Sequence, residues 1–210
     1  MDSTPIIQEA VRILREGGVI LYPTDTVWGI GCDATNEKAV ARVFEIKRRS
    51  EAKSLVLLAC DLDMVARHVK TIPSIAIDLV EVNDAPMTII YPGAQYLAPN
   101  AVAEDGSVGI RIPLVPEEEE EEAPRKAAPK GNLTAGAFCR ELVRRLRHPL
   151  VSTSANISGE PTPGSFAEIS EEIKAAVDYV VPKPFGNGAT GRSSQIIKLG
   201  VGGEVEILRP

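Results

Sequence analysis

The stretch GGVILYPTDTVWGIGCDA, residues 17–34, decides the fold class of this chain. Its first two glycines end a helical pattern, and Val19 to Tyr22 then form an apolar run of strand length that leads into Pro23. A turn rich in hydroxyls and glycine follows this run. A buried strand that comes directly after a helix is typical of α/β proteins, in which helices cover the faces of a sheet.

Helix and strand patterns alternate along the rest of the chain. The predicted helices cover about residues 5–16, 36–48, 61–69, 73–82, 135–147 and 166–176. The predicted strands cover about residues 55–59, 87–91, 107–112, 150–153, 195–199 and 204–208, with a short one near 179. This mixed order predicts an α/β fold whose sheet is not purely parallel. The length of 210 residues fits one domain, so we expect a single domain spanning 1–210.

The segment at about 115–132 departs from this alternation. It reads VPEEEEEEAPRKAAPKGN, and Glu117 to Glu122 are six consecutive glutamates. Because the segment has almost nothing to bury, its composition predicts a mobile acidic insert within the domain. The six glutamates equal the whole net charge of −6, so the rest of the chain is neutral overall.

Composition also limits the function classes. Aromatic residues make up only 4% of the chain, which argues against a surface on which nucleic-acid bases stack. No apolar run is long enough to cross a bilayer, and the first residues lack the pattern of a secretory signal. The three cysteines are too few for a disulfide framework, so we expect a cytoplasmic protein that makes no membrane contact.

Three polar clusters are candidate ligand sites. The turn within 22–31 places hydroxyls after a strand, 47–53 holds four cations, and 151–159 reads VSTSANISG at the end of another strand. Lys and Arg are the usual partners of phosphate oxygens, and strand ends are where α/β proteins collect ligand-binding groups. Each cluster also has a purely structural interpretation. The first is then an ordinary turn, the second offsets a helix dipole, and the third caps local backbone.

Taken together, the three clusters resemble the YrdC-like family, whose members include the TsaC-type threonylcarbamoyl-AMP synthases. The matching stretches are GGVILYPTDTVWGIGCDA at 17–34, the basic cluster at 47–53, APMTIIYPG at 85–93, VGIRIP at 108–113 and PLVSTSANISGEPTP at 149–163. They cover nearly the whole chain except the acidic insert.

The resemblance implies a twisted mixed sheet with flanking helices around a deep basic groove. It also implies an enzyme, a nucleotidyltransferase that converts L-threonine, bicarbonate and ATP into threonylcarbamoyl-adenylate and pyrophosphate for tRNA modification. Mg²⁺ would be bound through the ATP phosphates, and no metal would be ligated by protein side chains. Further implied partners are TsaD-type transferase proteins and tRNA or double-stranded RNA. Two alternatives stay open: an RNA-binding module of the same fold without adenylate chemistry, and a paralogue that acts on another carbamoyl or acyl substrate.

The same resemblance implies roles for individual residues. Lys47 and Arg49 match a catalytic pair of cations. The matched ATP-binding residues are Lys47, Arg49, Lys53, Thr88, Ser154, Asn156 and Ser194. The matched L-threonine-binding residues are Thr26, Arg111 and Ser154. The chain departs from the family pattern at Ser50 and Ser54, which leave the cations of the basic cluster intact. It also departs at Leu58 and Lys198, which bear on the threonine contacts more than on the nucleotide contacts.

Overall fold

Nine strands form one mixed sheet within residues 3–49, 55–115, 133–182 and 188–210, which are the parts of the chain that the computed structural model describes. In chain order the strands are β1 Ile20–Tyr22, β2 Gly29–Gly31, β3 Val56–Leu58, β4 Met87–Tyr91, β5 Val108–Arg111, β6 Leu150–Ser154, β7 Tyr179–Val180, β8 Gln195–Leu199 and β9 Val205–Arg209. They lie side by side in the order β7-β1-β2-β6-β3-β5-β4-β8-β9. Parallel and antiparallel neighbours both occur, so the predicted α/β class with a mixed sheet is confirmed.

Six α-helices accompany the sheet in the described ranges. They are α1 Thr4–Arg15, α2 Glu37–Ile46, α3 Leu62–His68, α4 Ser74–Glu81, α5 Ala135–Leu146 and α6 Glu171–Ala176. Four of them begin at a polar side chain that accepts a hydrogen bond from the backbone N–H three residues later, which satisfies a donor at the helix start. These capping residues are Asn36, Asp61, Thr134 and Ser170. Helices α1 and α5 pack against each other, and Leu14 and Phe138 are fully buried.

One face of the sheet gathers polar side chains near its middle. Directly paired residues on neighbouring strands project to the same face. The register pairs Gly29 with Ser154 across β2 and β6, and Ser152 with Val56 across β6 and β3. Residues two apart on one strand share a face, so Ser152 and Ser154 both lie on this side.

The structure corrects the sequence prediction at two places. Residues Gly29–Gly31 look like part of a turn in the sequence, but they form strand β2 between β1 and β6. A Cβ atom at Gly31 would lie 2.3 Å from the carbonyl oxygen of Val151, so the close approach of β6 requires glycine there. The helix expected over 166–176 is instead a 3₁₀ turn at Phe166–Glu168 followed by α6, because Ser170 caps a new helix start.

Two predicted features fall outside the described residues. They are Lys53 and nearly all of the acidic insert, of which only Val115 is described. Among the helices that the structure does describe, none is long and apolar enough to cross a membrane.

Candidate active site

A cleft of about 250 Å³ opens on the face of the sheet that carries Ser152 and Ser154. Hydroxyl side chains line it from three segments: Thr24 and Thr26 after β1, Ser152 to Ser154 of β6, and Ser193 and Ser194 before β8. Three guanidinium groups also line it, those of Arg49, Arg111 and Arg209. No acidic side chain is among the described residues that form its wall. Such a lining suits a ligand that carries negative charge and many acceptor oxygens.

One row of residues across four adjacent strands supports the far side of the cleft. Arg111 of β5 pairs with Thr88 of β4, Thr88 pairs with Ile196 of β8, and Ile196 pairs with Arg209 of β9. All four side chains therefore project to the face on which the cleft lies. The row places one arginine at each end, with a threonine and an isoleucine between them.

A β-bulge sets the direction of Arg209. Ile197 pairs with Ile207 while Ile196 pairs with Arg209, so Leu208 is an extra residue in β9. Without this bulge Leu208 would stand opposite Ile196 and face the cleft, and Arg209 would point to the other face. The bulge thus turns a guanidinium into the cleft, where its Nε donates to the carbonyl oxygen of Ser194 at 2.8 Å.

The three consecutive cations after α2 take three different directions. The backbone N–H of Arg49 bonds to the carbonyl oxygen of Phe44, which closes a helix-ending turn with Arg48 in the left-handed region at a φ of 50°. Lys47 lies inside at 2% exposure, Arg48 is exposed and forms an ion pair with Glu172, and Arg49 reaches the cleft. A helix end offset by its cations therefore accounts for only part of this cluster.

The ammonium of Lys47 holds the Ser154–Asn156 loop from beneath. Its Nζ donates to the carbonyl oxygen of Ser154 at 2.5 Å and to that of Asn156 at 2.7 Å. Burial, and then the charge of Arg49, lower the pKa of Lys47 from 10.5 to about 8. Lys47 does not line the cleft, so its contacts reach a ligand only through the loop that it supports.

The turn after β1 presents an acceptor to the cleft. The hydroxyl of Thr24 lies 2.7 Å from the carbonyl oxygen of Val27 and 2.8 Å from the hydroxyl of Thr26. A hydroxyl has a single hydrogen, and the carbonyl can only accept, so Thr24 donates to Val27 and Thr26 donates to Thr24. The oxygen of Thr26 is then left with lone pairs, which favour a donor group on the ligand.

A buried ion pair joins this turn to β5. One carboxylate oxygen of Asp25 pairs with Nη1 of Arg111, and the two side chains are each 4% exposed. Arg111 therefore lines the cleft as a cation that is already neutralised on one side. The basic character that we expect of the groove stays a prediction.

Hydroxyl and amide groups next to the cleft are held by the backbone around them. Thr88 and Ser194 share a hydrogen bond of 2.8 Å between their side-chain oxygens, and both are buried. The amide nitrogen of Asn156 donates to the carbonyl oxygens of Ile157 at 3.0 Å and Glu160 at 2.8 Å. Its Oδ1 is buried without a hydrogen-bond partner, so this amide keeps an unused acceptor.

The structure brings together most of the residues that the resemblance implies. Those that line the cleft are Thr26, Arg49, Arg111, Ser154 and Ser194, and those that lie behind it are Lys47, Thr88 and Asn156. Lys53 is outside the described residues. The catalytic and binding roles of all nine stay predictions. Across the described ranges, no three His, Cys, Asp or Glu side chains are grouped so that they could hold a metal ion.

Two residues at or beside the cleft, Arg209 and Asp25, were not predicted from the sequence. Arg209 follows Val205 and Ile207 at a spacing of two residues, so the alternation of a regular strand places all three side chains on the same face. The amino-acid sequence does not reveal the bulge that turns Arg209 to the other face. Asp25 stands inside the hydroxyl-rich turn. A carboxylate between the hydroxyl residues Thr24 and Thr26, directly after a buried strand, was the signal that could have indicated a buried partner of an arginine.

Comparison with known proteins follows the same segments. The Sua5_yciO_yrdC family, described as "Telomere recombination", matches residues 12–118 and 132–210. Residues 119–131, between the two matched parts, lie within the acidic insert. A threonylcarbamoyl-AMP synthase of Xanthomonas euvesicatoria pv. vesicatoria (strain 85-10) is 32% identical over 212 residues, which covers 100% of this chain and 100% of that protein.

Two solved structures share the fold. A crystal structure of P. abyssi Sua5 complexed with L-threonine has a TM-score of 0.73 and 26% identity, and the match covers 92% of this chain but 50% of that one. This chain therefore spans about half the length of that Sua5 protein. E. coli YciO has a TM-score of 0.71 and 22% identity, with 98% of this chain and 88% of that chain covered.

Proposed function

Because the chain belongs to the Sua5_yciO_yrdC family, we propose that it is a threonylcarbamoyl-AMP synthase. It joins L-threonine, bicarbonate and ATP into threonylcarbamoyl-adenylate and releases pyrophosphate, which makes it a transferase of the nucleotidyl class. The full-length likeness to a synthase supports this activity, and the L-threonine complex of P. abyssi Sua5 supports threonine as the amino acid.

The observation that carries the proposal is the convergence of Arg49, Arg111 and Arg209 with hydroxyl side chains on one cleft. The reaction forms a carbamate from the amine of threonine and bicarbonate, with loss of water. A carbamate oxygen then attacks the α-phosphorus of ATP, and pyrophosphate leaves. Two anions must be brought together, so the site has to supply fixed positive charge and hydrogen-bond donors.

Each group of the cleft has a role in this scheme. Arg49 and Arg209 bind phosphate oxygens, Arg111 binds the carboxylate of threonine, and the oxygen of Thr26 accepts a hydrogen bond from its amine or hydroxyl. Ser154 and Ser194 bind the nucleotide. Holding the carbamate in line with the leaving pyrophosphate supplies most of the catalysis, so a protein nucleophile is unnecessary. Lys47 acts by fixing the loop that carries Ser154.

The lining also bears on Mg²⁺. Hydroxyls and guanidiniums, but no carboxylate, belong to the described wall of the cleft, so these residues fit an ion that arrives on the ATP phosphates rather than one ligated by the protein. Bound there, Mg²⁺ would share the neutralisation of phosphate charge. Transfer of the product to a TsaD-type protein, contact with tRNA or double-stranded RNA, and a cytoplasmic location stay predictions.

Mass detection of threonylcarbamoyl-AMP tests the proposal. The purified chain is incubated with L-threonine, bicarbonate, ATP and Mg²⁺, and each component is omitted in turn. We expect the adenylate and pyrophosphate only when all are present. A product formed equally well with another amino acid or acyl donor would indicate a paralogue with a different substrate. No adenylate under any condition, together with retention of RNA, would favour the binding module.

A further inference from the structure

Asp25 joins the turn after β1 to the end of β5, to the residues just beyond β5 and to the loop before β8. One carboxylate oxygen pairs with Nη1 of Arg111 at the end of β5. The other, Oδ2, accepts a hydrogen bond of 3.1 Å from the backbone N–H of Leu114, which lies just beyond that strand. The backbone carbonyl of Asp25 accepts from the N–H of Thr190 at 2.9 Å, in the loop that leads to Ser193 and Ser194. Both side-chain oxygens and the backbone of this one residue are therefore used.

Arg111 depends on this partner for its orientation. Its guanidinium is buried yet lines the cleft, and its Nε has no hydrogen-bond partner. A buried guanidinium needs a counter-charge, because removal from water is costly for an unpaired ion. The carboxylate of Asp25 supplies that counter-charge and holds the guanidinium at Nη1. The donors that remain are those that a ligand carboxylate can use.

The surroundings leave Asp25 little room to move. A Cβ atom at Gly136, in the first turn of α5, would lie 1.7 Å from the carbonyl oxygen of Leu114 and 3.6 Å from the Cβ of Asp25. The helix start is thus pressed against the segment that Asp25 holds. A longer carboxylate at position 25 cannot retreat toward the helix, so it has to push the guanidinium of Arg111 out of place.

We propose that Asp25 is a positioning residue for threonine binding: it holds Arg111 in the orientation that receives the substrate carboxylate. This inference rests on the proposed synthase function. Asp25 does not line the cleft, and it acts through Arg111 rather than by touching the substrate. If Asp25 were only a structural counter-ion, a glutamate at this position would replace it without loss of threonine affinity.

The test compares Asp25→Glu and Asp25→Asn with the wild-type chain. The glutamate variant keeps the charge and displaces the guanidinium, while the asparagine variant keeps the shape and removes the charge. Asp33→Asn is the matched control, because Asp33 is also a buried carboxylate with several hydrogen bonds, to Thr35 and His148, and it does not line the cleft. Adenylate formation gives KM for threonine and for ATP, and calorimetry gives threonine affinity without turnover.

We expect Asp25→Glu to raise the KM for threonine on the order of tenfold, the loss expected for a misplaced charge-assisted hydrogen bond. Its KM for ATP should match that of the wild type, as should both KM values of Asp33→Asn, while its melting temperature falls because the longer side chain is forced into a packed site. Asp25→Asn leaves a buried guanidinium without its counter-charge and can fail to fold. Neither Arg111→Met nor Arg111→Met with Asp25→Asn contains the buried cation. The single variant still contains the carboxylate of Asp25, which keeps its hydrogen bond from the N–H of Leu114, and the double variant removes that buried charge as well.

The same two variants test whether Asp25 affects threonine binding through Arg111. If Asp25 acts through Arg111, the added Asp25→Asn change leaves the threonine affinity of Arg111→Met unaltered, which is the non-additivity of coupled residues. An active wild-type chain beside an Asp25→Glu variant with unchanged KM for threonine would overturn the positioning role alone. A wild-type chain that neither binds threonine nor makes the adenylate would overturn the proposed function, and the positioning role would fall with it.

Discussion

Replacement of Lys47 by Met should change how the stability of the protein depends on pH. The lysine is 2% exposed, and its pKa falls from 10.5 to about 8 because of burial and then the charge of Arg49. Between pH 8 and 10.5 the unfolded chain binds a proton at this lysine that the folded chain has released. Stability from this group therefore rises with pH across that window, by up to about 1.4 kcal/mol per pH unit.

The size of the effect follows from the same two pKa values. From pH 7 to pH 9.5 the unfolding free energy of the wild type should increase by about 2 kcal/mol relative to Lys47→Met. At pH 7 the removal of a buried ammonium raises the unfolding free energy of the methionine variant, and the loss of the donors to the carbonyl oxygens of Ser154 and Asn156 lowers it. All other titrating groups are common to both proteins, so their contributions cancel in the difference.

Urea unfolding of both proteins at the two pH values measures this difference. Lys38→Met is the control for loss of a lysine, since Lys38 is exposed on α2. Turnover of Lys47→Met should fall at either pH, because the loop that carries Ser154 loses its support. Parallel stability curves for the wild type and Lys47→Met from pH 7 to 9.5 would mean that the buried ammonium stays charged, and the reasoning from its burial would be wrong.

Three further substitutions probe the cleft and its frame. In steady-state assays, Arg49→Ala should raise the KM for ATP on the order of tenfold or more, while Arg48→Ala leaves it unchanged. Equal effects of the two substitutions would mean that these cations only offset the helix dipole. Arg209→Ala should weaken nucleotide binding in calorimetry without lowering the melting temperature, and an intact affinity would remove it from the site. Gly31→Ala should lower the unfolding free energy by about 2 kcal/mol or more in urea titrations, because its Cβ would meet the carbonyl oxygen of Val151 at 2.3 Å.

Much of the fold was predictable because the elements are locally coherent. Apolar runs such as 87–91 and 195–199 appear as strands at their predicted positions, and Asn36 caps α2 as a polar residue before a helical stripe should. Strand β2 was not predictable in this way. Its Gly-Ile-Gly sequence has the composition of a turn, and only the approach of β6, a contact distant in sequence, makes glycine suitable for a strand there.

The site was predictable as a set of segments but not as a set of contacts. The hydroxyl turn, Arg49 of the basic cluster and the Ser154 loop meet in one cleft, as strand ends in α/β proteins tend to do. Individual directions depend on geometry that the letters do not carry. A left-handed Arg48 decides that Arg49 reaches the cleft while Lys47 is buried, and an extra residue in β9 decides that Arg209 joins them.

The arginines of the cleft differ in the groups that hold them and in how far their charge is balanced. Arg111 faces a buried carboxylate, so its charge is balanced and its orientation is fixed. Arg209 is held by the carbonyl oxygen of Ser194, which orients the guanidinium, and no carboxylate of the described residues forms an ion pair with it. An anion that must be aligned therefore suits Arg111, and a more highly charged one suits the side with Arg209. Under the proposed function, the carboxylate of threonine is therefore the ligand expected at Arg111, and the nucleotide phosphates are the ligands expected at Arg209.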